Sequence, residues 1–139
     1  MPKVFDEKTL KEYSPQVLAY VGDAAFELMV RTHLIQGGNR RMNELHQEAV
    51  EVVKARTQAH LVRQLYDDLS REEQDIVRRG RNAKGNPPRH AQVQDYRLST
   101  GFEALMGYLY LKGDEERLLS IVEQAFLFME QDEDPGADG

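Results

Sequence analysis

Ser14-Pro15-Gln16-Val17-Leu18-Ala19-Tyr20-Val21-Gly22-Asp23-Ala24-Ala25-Phe26-Glu27-Leu28-Met29 opens a helix, and its reading decides the fold class. Ser14 suits an N-cap, where its hydroxyl accepts from a backbone N–H that has no intrahelical partner. Pro15 suits the first helical position, whose missing N–H is no loss. Apolar residues at 17, 18, 21, 25, 28 and 29 keep a 3.6-residue period, and Gly37-Gly38 ends the run.

The helical pattern continues outward from there. After Asn39 one long stretch carries Leu45, Ala49, Val52, Val53, Ala59, Leu61 and Leu65, with a break expected near Ser70. Ser70-Arg71-Glu72-Glu73 has capping-box form and predicts a short helix ending near Gly80. Gly85, Asn86, Pro87 and Pro88 make residues 81–92 a loop. Helix resumes near Val93 and stops at Gly113. Asp114 then caps a last amphipathic helix through Leu118, Ile121, Val122, Ala125, Phe126 and Met129. With no alternating strand pattern and no repeat, the prediction is an all-α domain of roughly five to seven helices.

At 139 residues the chain has one-domain length. The domain is expected over residues 1–130. An acidic, solvated tail, disordered by composition, is expected over 131–139, where Asp132, Glu133, Asp134 and Asp138 surround Pro135 and Gly136. Cysteine is absent, which excludes disulfides, thiolate zinc sites and a cysteine nucleophile. The first residues lack an apolar signal region and no segment reaches membrane-spanning length, so a cytoplasmic protein without a membrane partner is expected.

Two carboxylates stand in apolar helical runs, Asp23 after Gly22 and Glu103 in Phe102-Glu103-Ala104-Leu105-Met106-Gly107. Burying an unpaired charge costs several kcal/mol, so such groups need partners. A shared divalent cation is one solution, because hard cations prefer carboxylate oxygens. The alternatives are a solvent-facing or ion-paired Asp23 and a Glu103 bonded to a buried Tyr or Arg. Glu27 lies one turn beyond Asp23 and is equally explained as an i,i+4 partner of Arg31. The four histidines show no metal-ligand spacing, and there is no phosphate-binding P-loop, dinucleotide fingerprint or nucleophile elbow.

Net charge is −6, yet the segment from Arg78 to Arg97 is basic, with Asp95 as its one acid. Arg78, Arg79, Arg81, Asn82, Lys84 and Arg89 offer charged and neutral donors to phosphate oxygens. An exposed connector explains the same composition, but its place just before Glu103 favours contact with a nucleic acid.

These residues together resemble the ribonuclease III catalytic domain, and within it the bacterial Mini-ribonuclease III family. Leu18-Ala19-Tyr20-Val21-Gly22-Asp23-Ala24 is similar to the superfamily's signature helix, and Phe102-Glu103-Ala104-Leu105-Met106-Gly107 to its second metal-ligand motif. The run Arg78 to Asn82, followed by Gln94-Asp95-Tyr96-Arg97-Leu98-Ser99-Thr100, resembles the Mini-type branch, which lacks a double-stranded-RNA-binding domain.

The resemblance implies the all-α ribonuclease III endonuclease fold and a homodimer whose signature helices pack across a two-fold axis. It implies a magnesium-dependent endoribonuclease that cleaves double-stranded RNA, matures the ends of 23S ribosomal RNA in the cytoplasm and leaves 5′-phosphate and 3′-hydroxyl ends. By the same resemblance Asp23 and Glu103 are the catalytic and Mg2+-binding residues, with Glu27 and Tyr20 supporting. The basic loop holds the RNA, and a ribosomal protein presenting that RNA is a further expected partner. Ala19 and Thr100 stand where larger relatives carry acids, which points to one tightly held ion. Two other readings compete: a catalytically silent helical RNA-binding module of a ribosomal assembly, and a plain helical dimerisation domain.

Overall fold

The computed structural model describes residues 5–83, 85–87, 89 and 92–132. They form seven α-helices and one 3-10 turn: α1 (Glu7–Glu12), α2 (Pro15–Ile35), α3 (Met42–Val53), α4 (Ala55–Leu65), the turn Tyr66–Asp68, α5 (Arg71–Arg81), α6 (Val93–Lys112) and α7 (Glu115–Asp132). No strand occurs among the described residues, in agreement with the all-α expectation.

The expected caps stand where the sequence puts them. The Val17 N–H donates to Ser14 Oγ at 3.2 Å, with Pro15 at the first helical position. Ser70 and Glu73 complete a capping box in both directions. Gly113 ends α6 at φ 86°, a left-handed conformation that costs glycine nothing. Asp114 Oδ1 accepts from the Arg117 N–H and starts α7.

Two features differ from the sequence reading. α1 precedes Ser14, capped by Asp6, whose carboxylate accepts from the Thr9 N–H at 2.8 Å. The stretch after Asn39 is two helices, broken at Lys54, whose backbone is extended at ψ 154°. No Gly or Pro marks that break. The Thr57 hydroxyl stabilises it by donating to the Glu51 carbonyl at 2.7 Å, a bond that pattern reading cannot see. Of the expected tail, Asp132 still belongs to α7, and residues 133–139 lie outside the described set.

α6 is the hub, with α1, α2, α4, α5 and α7 all packed against it. Its residues from Ala104 to Leu109 are all buried, as expected of a helix that is apolar all round. Phe26 of α2 meets Phe102 of α6 edge to face, ring centroids 4.9 Å apart. Arg117 of α7 grips Glu73 of α5 through Nε and Nη2, both at 3.1 Å, tying the helix start to the last helix. Burial alone would raise the Glu73 carboxyl, but the bonds from Arg117 and Ser70 outweigh it and hold the group below its usual range. Among the described residues no helix is long and apolar enough to cross a membrane.

Candidate active site

Glycines set the geometry of the site. A Cβ on Gly22 would lie 1.7 Å from the Glu103 carbonyl oxygen, and one on Gly107 would lie 1.9 Å from the Leu18 carbonyl oxygen. α2 and α6 therefore cross backbone to backbone, closer than any side chain permits. Asp23, next to Gly22, is carried to the α6 turn that bears Glu103. Two residues far apart in the chain thus become neighbours.

Glu103 is half-buried, and its carboxyl is pushed up to about 8. Burial is the largest cause, followed by the hydrogen bond to Asp23 and then by that residue's charge. These causes favour the protonated form of Glu103, whose hydroxyl is then the donor in its hydrogen bond with Asp23. Glu103 bonds to the other carboxylate, which removes the alternative of a buried Tyr or Arg partner.

A like-charge pair that retains a proton is a donor set suited to a divalent cation, which replaces the proton and leaves both groups ionised. Among the described residues no cluster of three or more His, Asp, Glu or Cys could close around an ion. Two carboxylates suit magnesium, which keeps several of its waters.

The remaining expected residues fall into distinct settings. Glu27 accepts from Arg31 Nη2 at 2.8 Å, the i,i+4 pairing that its spacing allows. Tyr20 is 82% exposed, one turn before Asp23. Ala19 is buried in the core, and the Thr100 hydroxyl donates to the Tyr96 carbonyl at 3.1 Å. Neither position adds an acid to the pair.

A second glycine contact places the basic segment. A Cβ on Gly80 would lie 2.6 Å from the Gly101 Cα, so the last turn of α5 rests on α6 just before Glu103. Arg78 and Arg81 are exposed there. Arg78 reaches Asp75 at 3.4 Å, and Arg81 donates to Asn82 Oδ1 at 3.4 Å. Asn82 is exposed and ends the helix, its N–H on the Arg78 carbonyl at 3.0 Å. Arg89 is exposed in the following loop, and Lys84 lies outside the described residues. Arg79 is turned inward, donating to the Tyr13 carbonyl at 3.1 Å. Its bond fastens α5 to the segment that leads into α2, a structural task invisible in a list of basic residues.

Comparison with known proteins places the chain in a family. Residues 16–114 match the ribonuclease III domain. The chain is 52% identical over 119 residues to the Mini-ribonuclease 3 of Thermoanaerobacter sp. (strain X514), covering 85% of this chain and 84% of that one. It is 48% identical to the Mini-ribonuclease 3 of Symbiobacterium thermophilum, over 84% of this chain and 91% of the relative. A crystal structure of a protein from Fusobacterium nucleatum superposes with a TM-score of 0.78 at 30% identity, over 86% of this chain and 96% of that one. The chain belongs to the ribonuclease III family, with the Mini-ribonuclease 3 proteins as its relatives, and is an endoribonuclease.

Proposed function

We propose that this endoribonuclease cleaves double-stranded RNA with magnesium held by Asp23 and Glu103, and that its substrate is the precursor of 23S ribosomal RNA. The observation that carries the reading is the backbone crossing at Gly22 and Gly107, which brings Asp23 within hydrogen-bonding reach of the half-buried Glu103. An ion held by Asp23 and Glu103 would supply charge neutralisation at the scissile phosphate and a more acidic bound water, chemistry suited to leaving a 5′-phosphate and a 3′-hydroxyl. The chain's own residues do the positioning. Asp23 and Glu103 fix one point of the phosphate path. Arg78, Arg81 and Asn82, on the α5 end packed beside Glu103, supply phosphate donors along it, with Lys84 and Arg89 following in the loop.

A homodimer belongs to the same proposal. Val17, Tyr20, Leu28 and Ile35 are 48%, 82%, 62% and 60% exposed, and with Ala24 they form one stripe along α2. An uncovered apolar stripe of that length marks an interface, and two-fold packing through it sets two Asp23 sites along one duplex. A ribosomal protein that presents the RNA, and a cytoplasmic setting, complete the proposal.

The test is incubation of an internally labelled RNA duplex with the protein and its Asp23→Asn variant, with magnesium and with EDTA. Discrete 5′-phosphorylated products that require both magnesium and Asp23 support the assignment. Salt-sensitive binding without cleavage would favour a silent RNA-binding module instead.

A further inference from the structure

Away from the carboxylate pair, the C-terminal end of α2 meets α3 and α7 around an open groove of about 600 Å³. Its floor is apolar, made by Leu34, Val52, Phe126 and Met129. His33 stacks on Phe126 with ring centroids 4.0 Å apart and closes one wall. The rim is acidic on balance, carrying Glu44, Glu48, Glu51 and Glu130 against Arg40.

Glu48 is neutralised by a two-pronged bond from Arg40, at 3.0 and 2.6 Å, and Glu51 is paired with Lys54. Glu44 and Glu130 are exposed; Glu44 also lies in the field of Arg40, whose hydrogen bonds go to Glu48. The groove begins some ten residues beyond Asp23 on α2, about 15 Å along the helix.

We propose that this groove docks a basic peptide segment of a partner protein. An aliphatic side chain of the partner sits on Phe126 and Met129, and its lysine or arginine side chains meet Glu44 and Glu130. Charge decides the choice of occupant. An acidic rim repels phosphate, so a nucleic acid is a poor fit. The chain's own continuation beyond α7 carries Glu133, Asp134 and Asp138, of the same sign as the rim. An apolar floor under a rim of four glutamates and one arginine, acidic on balance, selects a segment with an apolar anchor and the opposite charge. The surface is separate from the Asp23–Glu103 pair and does not depend on its role.

The experiment uses the full chain with 13C-methyl methionine and a short synthetic peptide bearing one leucine among lysines. Met129 lines the groove whereas Met106 is fully buried in the core, so the two methyls report docking and global change separately. Saturable movement of the Met129 signal with a fixed Met106 signal is expected. Glu44→Lys/Glu130→Lys should weaken binding about tenfold or more while cleavage of a bare RNA duplex stays at the parent rate. An unmoved Met129 signal overturns the proposal. So does equal binding of a peptide with glutamate in place of lysine, or the same Met129 shift on adding duplex RNA.

Discussion

Gly22 and Glu103 are in backbone contact: the space a Cβ at Gly22 would need is taken by the Glu103 carbonyl oxygen, 1.7 Å away. The residue that carries one half of the carboxylate pair is therefore packed through a position that admits no side chain.

Gly22→Ala has to push α2 off α6, since the obstacle is main chain and cannot rotate aside. Overpacking of this kind costs about 1–3 kcal/mol, and here the upper end is expected. Cleavage should fall further than stability, because the same displacement parts Asp23 from Glu103. Urea denaturation alongside an assay on a duplex checks both. A variant with parent stability and parent activity would show that the helices do not cross this closely.

The raised Glu103 carboxyl makes stability depend on pH. Glu103 releases its proton near 4.5 when unfolded but only at about 8 in the fold. Between those values the folded state binds more protons than the unfolded one, so metal-free stability falls as pH rises through the window. The full span is worth up to about 4–5 kcal/mol. Asp23→Asn removes the neighbouring charge but leaves the burial, so the window should close at a lower pH and the total loss should shrink. At about pH 8 this variant should be more stable than the parent by about 1–2 kcal/mol. Denaturation series in EDTA across that range measure the difference, and a window closing at the same pH as in the parent would assign the raised value to burial alone.

Arg79 and Arg81 are neighbours in sequence with opposite environments. Arg81→Ala should weaken duplex binding and lower the slope of log affinity against log salt by about 1, with the melting temperature unchanged. Arg79→Ala removes a bond to the Tyr13 carbonyl and should cost about 1 kcal/mol of stability. Salt titrations and thermal melts on both variants separate the two roles.

Leu28 lies in the exposed stripe of α2, 62% open in the single chain. Leu28→Glu places a charge at the proposed two-fold contact and should convert a dimer to monomer while leaving helix content intact. Sedimentation velocity and circular dichroism test this. A monomeric parent protein would remove the dimer from the proposal.

The sequence by itself determined the helices that local chemistry closes. Ser14 with Pro15, the Ser70–Glu73 box, and Gly113 with Asp114 each complete a terminus from neighbouring atoms, so their spacing is enough to locate them. It also marked Glu103 as a carboxylate in an apolar run, and there it is half-buried; Asp23, for which a solvent-facing place was the alternative, is exposed beside it. Tertiary structure alone decided the rest, because the partners are distant in the chain. The Gly22–Gly107 crossing joins the two carboxyls and raises one of them. The Tyr13 carbonyl turns Arg79 inward, and the Thr57 hydroxyl stabilises a helix break that no Gly or Pro announces. Periodicity marked Val17 and Leu28 as one apolar set with Leu18 and Ala25, yet only the latter two reach the core. A repeat of 3.6 shows which residues share a helix face, while burial depends on which faces the other helices cover.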